Sequence, residues 1–472
     1  MLRFFLIILI GLFSLNTFSQ QKWTLQQCVE YAVKNNLRLK QSQLNLQSAE
    51  INLQQSRANL LPSLNGFGTH NYSFGRTIDP LTNLFATNKV QSNSIGLSSN
   101  FTIFGGLQNF NTIQQNIHNS QAKKYDFEKI ENDIKINVIN AFLQIVFAKE
   151  LFLVNKNQIN LTSQQLSRIK KLVEVGSASK GAQLDIEAQL AQEELQLVNA
   201  ANQVDMAYLN LTQILNLDNN EIFEIEQPEI AIKADKQMLE SPKSIYEIAL
   251  GNQPSIKSAE SSVLASQRAL SVARGALSPR INLNASYGSG YSQLRKQPFG
   301  SPGFVGYDTV GITSSNEAVL IPKYQTDFKV TPFSSQIKDN VNKTLGFSIN
   351  VPIFNGLSTR TRISQAKIAL DNSKNNLDLS KQTIRNEIQQ AHADANAAFK
   401  KYNATEQTLK ALKESFFYME QKFNVGMLNT IEYNDSKNKI IKAESDLLQA
   451  KFDYVFKIKI LDYYLGKPLS LQ

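Results

Sequence analysis

The sequence predicts an α+β membrane protein built by internal duplication: long coiled-coil helices joined to a few strands that supply part of a β-barrel shared between chains. Three observations predict it. The second half of the 472-residue chain restates the first half in order, each half holds heptad-patterned stretches of roughly 70 residues, and short alternating strands precede them.

The duplication is read from matched positions. Ala32, Asn35, Lys40 and Pro62 recur 217 positions later as Ala249, Asn252, Lys257 and Pro279. Ile103-Phe104-Gly105-Gly106-Leu107 recurs 250 positions later as Ile353-Phe354-Asn355-Gly356-Leu357, and Val175-Gly176 as Val425-Gly426. The two offsets differ by 33, so the second half carries an insertion between Pro279 and Ile353. Pro298, Pro302, Gly303, Gly306, Pro322 and Pro332 crowd that stretch, which reads as a long loop between two strands, its conformation over 293–340 left open.

Within each half the hydrophobic period changes twice. Residues 24–60 and 243–276 read as helices, with Leu37, Leu44, Ile51 and Leu53 close to a seven-residue repeat and Pro62 and Pro279 marking the switch to strand. Four strands follow: 63–75, 95–103, 281–291 and 344–353. In the last, Leu345, Phe347, Ile349, Val351 and Ile353 alternate with Thr344, Gly346, Ser348, Asn350 and Pro352. One apolar and one small polar face is the pattern of a membrane barrel with a wet lumen, and also of half a soluble β-sandwich. After Gly106 and Gly356 the pattern is helical. Every seventh residue from Ile363 runs through Leu370, Leu377, Ile384, Ala391 and Ala398, and a second stripe, Ile388, Ala395, Tyr402, Leu409, Phe416 and Phe423, reappears at the repeat offset as Val138, Ile145, Phe152, Ile159, Leu166 and Val173. Each long helix turns at Val175-Gly176 or Val425-Gly426 into a returning helix, marked in the first half by 4-3 spacing of Leu184, Ala188, Ala191, Leu195 and Val198.

Composition narrows the function classes. Met1 to Arg3, the apolar run Phe4–Leu15 and small residues up to Ser19 read as an export signal over residues 1–19. No later segment holds roughly 18 consecutive apolar residues, so any bilayer is met with strands. Cys28 has no partner for an internal disulfide and reads as a buried or idle thiol. His70, His118 and His392 lie far apart, leaving little for a metal site or a histidine-based catalytic set. The net charge of +9 is spread along amphipathic stretches interleaved with acids, which reads as solvated helix faces and argues against nucleic acid. Four strands cannot close a barrel, because about eight is the smallest closure, so several chains must share one.

These features in this order, with FGG and FNG after the even strands and VG at both hairpin turns, resemble the TolC family of outer-membrane efflux proteins over nearly all of residues 22–466. The resemblance implies a homotrimeric channel-tunnel, a twelve-stranded β-barrel in outer-membrane lipid continued by a long periplasmic α-helical barrel. It implies domains 20–217 and 243–466 as repeats, 218–242 with the C-terminal tail 467–472 as an equatorial belt, no enzyme activity and no cofactor or metal. It implies transport, with a periplasmic adaptor (membrane fusion) protein and, through it, an RND or ABC pump of the inner membrane. Adaptor contact falls on Val175, Gly176, Ser177, Val425, Gly426 and Met427, for which simple helix capping is the alternative reading. The pore constriction falls on Glu432 and Asp435, whose spacing of three places both carboxylates on one helix face. Leu428 and Ala182 stand where better-known members carry an arginine and an acid that hold the mouth shut. The alternatives are a type I protein-secretion duct and, more remotely, a periplasmic coiled-coil structural protein.

Overall fold

The structure, a computed structural model, describes residues 22–79, 81–83, 85–86, 89–217, 223–227 and 240–467. The expected signal segment 1–19, most of 218–242 and most of the tail lie outside the described residues. The chain divides into two compact units, one of residues 51–117 and 265–370 and one of the remainder.

The first unit contains the sheet. Strands β1 (Ser63–Ser73), β4 (Val90–Gly105), β5 (Arg280–Ser292) and β8 (Asn342–Asn350) form an antiparallel sheet in the order β1-β4-β5-β8. Strands β2 (Thr77–Ile78) and β3 (Phe85–Ala86) make a small ribbon between β1 and β4. Cross-strand partners share a face, so Ile281 opposite Ile349, Leu283 opposite Phe347 and Ala285 opposite Leu345 form one apolar surface. The other face is polar and cross-linked: Asn100 Nδ2 donates to Asn284 Oδ1 (2.6 Å), Asn284 Nδ2 to Ser348 Oγ (3.1 Å), and Thr102 Oγ1 to Asn282 Oδ1 (3.0 Å). Leu345, Phe347 and Ile349 are exposed, as residues facing lipid would be.

Gly106 shows why glycine follows the fourth strand. It is left-handed at φ +62, and a Cβ there would lie 2.1 Å from the carbonyl oxygen of Gly275. Its repeat counterpart Gly356 has the same φ of +62 but nothing within 4 Å.

The stretch expected as a loop is ordered. Strands β6 (Lys296–Ile312) and β7 (Ala318–Val330) pair as a ribbon, followed by helix α7 (Phe333–Asp339). Three bulges in β6, set by its prolines and glycines, hide the alternation from a period-two reading. A buried network ties the ribbon's base to the sheet: Gln336 Nε2 donates to the carbonyls of Ser292 (2.9 Å) and Thr331 (2.8 Å) and its Oε1 accepts from the Ser292 N–H (2.9 Å). Asn340 Nδ2 donates to Gly290 O (2.7 Å), and the Ser292 hydroxyl donates to buried Asp79.

Among the described residues the helical unit holds two cores, one built mainly from the first repeat together with Phe452, the other from the second repeat. Helices α1 (Leu25–Asn35) and α2 (Leu37–Ala58) stand where one helix was expected, because Asn36 turns extended and its Oδ1 caps the Arg38 N–H (2.9 Å). Helices α5 (Pro242–Asn252) and α6 (Pro254–Gly275) break likewise at Gln253 before Pro254. Helices α3 (Gln108–Glu174) and α4 (Lys180–Leu215) make the first hairpin, α8 (Ser358–Asn424) and α9 (Thr430–Tyr464) the second. In the first core Ala32 packs with Val138 and Ile145; in the second their counterparts Ala249, Ile388 and Ala395 pack together, and all six are fully buried. One window of α3 reaches a mean hydropathy of 1.5, enough by composition to cross a membrane. The core residues Val138 to Val146 account for an apolar window in this helix without a membrane. Cys28 lies in the first core, and burial pushes its thiol up to about 12.

Two expected stripes do not face this interior. Leu37, Leu44 and Ile51 are 69, 51 and 62 % exposed, and Leu184, Leu195 and Val198 of the returning helix are also exposed, while Gln183, Ile186, Glu193 and Ala200 are buried. In one chain these apolar rows have nothing to cover them.

Asp79 carries the first prediction. Burial opposes its ionisation, but hydrogen bonds from Ser292, from the Thr82 hydroxyl and from the N–H groups of Leu81 (3.0 Å) and Thr82 (2.8 Å) outweigh it and hold the carboxyl below its ordinary range. A depressed folded value means stability present above the unfolded value, near 4, and lost as pH falls through the folded one. Asp79→Ala is expected to raise amide exchange in α7 at least tenfold at neutral pH, and lowering the pH below about 4 to do the same in the native chain. Unchanged exchange in the variant refutes the anchoring role.

Candidate functional site at the hairpin turns

Both long helices end in the same device. Gly176 and Gly426 are left-handed, at φ +74 and +79. Gly176 N–H donates to Val173 O (3.0 Å) and Ser177 N–H to Leu172 O (2.8 Å); Gly426 N–H donates to Phe423 O (3.1 Å) and Met427 N–H to Lys422 O (2.9 Å). These are Schellman caps, so each glycine has a backbone reason to be there. A Cβ at either would meet nothing within 4 Å, so replacement costs about 1–2 kcal/mol through φ alone. Three residues on, Ser179 Oγ accepts the Ala182 N–H (3.1 Å) and Asn429 Oδ1 the Glu432 N–H (2.8 Å), starting the returning helices. Those caps were readable from a Ser and an Asn at matched positions. Val175, Val425 and Met427 project into solvent at 72, 70 and 77 % exposure, beside polar Ser177.

Glu432 and Asp435 lie together on the exposed face of α9. Glu432 occupies the first turn, where the helix dipole favours a carboxylate. Asp435 Oδ2 accepts from Lys439 Nζ (2.6 Å), a partner one turn along that was not among the expected residues.

The opposite face of α9 holds groups that no motif announced. Lys437 Nζ donates to Thr162 Oγ1 (2.8 Å) and lies 4.0 Å from Glu193 Oε1. The Thr162 hydroxyl also bonds Glu193, whose Oε1 accepts from Gln158 Nε2 (3.1 Å) and Gln189 Nε2 (2.8 Å). Lys437, Thr162 and Glu193 are all buried, joining α3, α4 and α9. Burial pulls the Lys437 ammonium down, and Glu193 opposes this. Toward the turns, a cavity of about 900 Å³ is lined by Leu161, Gln165, Ile186, Phe416, Phe423, Leu428 and Tyr433. Gln165 Nε2 donates to the Tyr433 hydroxyl (2.7 Å), and the Phe423 and Tyr433 rings stack at 4.3 Å.

The sequence matches the outer membrane efflux protein family over residues 28–217 and 245–466. The chain belongs to that family. Among curated proteins it is similar to the outer membrane efflux protein BepC of Brucella suis biovar 1, 21 % identical over 92 % of this chain and 83 % of that protein. It is also similar to the outer membrane protein TolC of Vibrio cholerae, 20 % identical over 70 % of this chain and 67 % of that protein. Among solved structures CusC superposes with a TM-score of 0.75 at 17 % identity, covering 94 % of this chain and 92 % of that one. The fold is therefore the α+β channel-tunnel of TolC-like proteins. The protein is an outer-membrane duct for efflux or secretion with a periplasmic tunnel, and not an enzyme.

Within this family fold, Leu428 lines the apolar cavity and Ala182 contributes a backbone N–H to a cap, so neither forms an ion pair at the turns. The interhelix polar contact lies farther along, at Lys437–Thr162–Glu193. Removing one member of a buried ion pair strands the other charge, at about 3–5 kcal/mol, whereas replacing both with apolar groups is nearly neutral. Glu193→Ala is thus expected to lower the thermal midpoint of the helical unit, and Glu193→Leu with Lys437→Met to recover most of the loss, followed by circular dichroism at 222 nm. A double variant as unstable as the single one contradicts the account.

Proposed function

We propose that three copies of this chain close one twelve-stranded outer-membrane barrel and one helical tunnel, passing small solutes from an inner-membrane RND or ABC pump through a periplasmic adaptor. On this reading residues 1–19 are the export signal, 20–217 and 243–466 the two repeats, and 218–242 with 467–472 the belt.

The observation that carries the assembly is the repeat symmetry of the sheet edges. β4 pairs with β5 inside the chain. By duplication β8 is the counterpart of β4, and β1 the counterpart of β5, so the open β8 edge matches the open β1 edge of a neighbouring copy. Unpaired strand edges in hydrocarbon cost several kcal/mol per backbone group, which drives closure. The uncovered Gly356 and the bare rows Leu37-Leu44-Ile51 and Leu184-Leu195-Val198 supply the rest of the seam between copies. In mild detergent, light scattering is expected to give three chains per particle; a monomer refutes the assembly.

The exposed apolar tips Val175, Val425 and Met427, held by caps at Gly176 and Gly426 beside Ser177, form the adaptor-docking surface. Glu432 and Asp435 line the constriction, six carboxylates around one mouth, selecting cations by their field. Because Asp435 already has Lys439, Glu432 carries the larger share. In planar bilayers Glu432→Gln is expected to reduce cation selectivity and multivalent-cation block more than Asp435→Asn, with trimer yield unchanged. Unaltered selectivity in the double variant assigns the constriction to other side chains.

A further inference from the structure

The β6–β7 ribbon is amphipathic. From Pro322 to Lys329 of β7, Pro322, Tyr324 and Phe328 alternate with Lys323, Gln325, Asp327 and Lys329; Leu320 and Thr326 share the apolar side, and Val319 and Ile321 the charged one. Cross-strand partners extend the apolar side, since Phe304 faces Tyr324, Tyr307 faces Pro322 and Pro298 faces Phe328. The Phe304 ring packs edge-on against Tyr307 (5.1 Å) and Tyr324 (6.0 Å). The charged side satisfies itself: Lys323 bonds Asp308 (2.9 Å), and the Lys329 ammonium lies 4.0 Å over the Phe299 ring. Tyr324 and Phe328 are nonetheless 62 and 60 % exposed. A two-stranded ribbon with one bare apolar face is marginal in water by itself, so something covers that face.

Lipid is a poor cover. The ribbon starts beyond β5, whose 13 residues, tilted as barrel strands are, already rise about 30 Å and cross the apolar band of the membrane. A transient foreign partner is also a poor match, because such interfaces are mixed in polarity, whereas the charges of β7 all lie on the opposite face and Lys296, at the ribbon's base, is the one charge on the apolar side. A second copy fits on continuity. The buried Asp79–Ser292–Gln336 network fixes the ribbon's base to β5, and Arg295, which bonds Asn340 and Asp339, ties it to the end of α7. Two residues after Asn340 the chain enters β8, the open edge along which the next copy is to pair.

We propose that the apolar faces of the β6–β7 ribbons from neighbouring copies pack on one another, forming a collar at the outward end of the barrel. The proposal rests on the multi-copy barrel argued above. The collar belongs to the insertion, since among the described residues the first repeat has at that position the short β2–β3 ribbon.

The test uses the full chain with Cys28→Ala, which leaves no other cysteine. Tyr324→Cys is expected to give oxidant-induced covalent dimers in outer membranes at least tenfold more abundant than Gln325→Cys on the charged face. Light scattering on the same preparations separates the two readings. A monomer refutes the shared barrel, whereas a trimer without preferential Tyr324→Cys linkage overturns the collar. Linkage to a protein of another mass overturns it as well. Should the cysteine variants fail to assemble, Leu320→Lys with Phe328→Lys is expected to lower the trimer's dissociation temperature by at least 5 °C relative to Lys323→Gln, and equal temperatures reject the collar.

Discussion

A strand placed in hydrocarbon must have every backbone N–H and C=O paired, because no water is there to substitute. Almost everything in this chain is arranged around that constraint. One copy supplies four paired strands and two unpaired edges, so the sheet is complete only as part of something larger. The polar side-chain ladder Asn100–Asn284–Ser348 on one face and the bare aliphatic row on the other make sense only if the two faces meet different solvents.

Duplication is the economical solution to this constraint. A unit that pairs its own last strand with the first strand of a second unit repeats the same contact between chains, so one evolved joint serves twice. Gly106 meeting Gly275 inside the chain, and Gly356 standing open at the same φ, express this at a single residue. The two cores tell the same story, since Ala32, Val138 and Ile145 are as buried as their counterparts Ala249, Ile388 and Ala395. Repeat position, not local hydrophobicity, decides which alanine lies in a core.

Much of this was legible in the sequence, and the failures have physical causes. Elements marked by period or by repeat position were found: the two long helices, the four strands of the sheet and both glycine turns. The β6–β7 ribbon was missed because three bulges in β6 and its prolines break the period-two signal, and because β7 opens on the unbroken apolar run Ala318–Ile321 before it alternates from Pro322 to Lys329. The α1–α2 break was missed because Asn36 interrupts the backbone without interrupting the apolar pattern, whereas the α5–α6 break carried a signal that was passed over, Pro254, which disfavours a helical Gln253. At the candidate site, the capping residues could be located by repeat spacing, and Glu432 and Asp435 were proposed through the resemblance. The Lys437–Thr162–Glu193 contact could not, since its members come from three helices and are separated by 31 to 275 residues.

The apolar rows were legible as periodic stripes, and the structure places them on the outside of the chain. In the returning helix α4, Leu184, Leu195 and Val198 point away from the chain's own hairpins, while Gln183, Glu193 and their polar partners face inward. An apolar seam is non-directional and tolerates sliding, whereas a buried polar contact fixes one register and becomes costly when its partners separate. The buried polar contact therefore fixes how α3, α4 and α9 sit on one another, and leaves the apolar rows to the seams of the assembly proposed above.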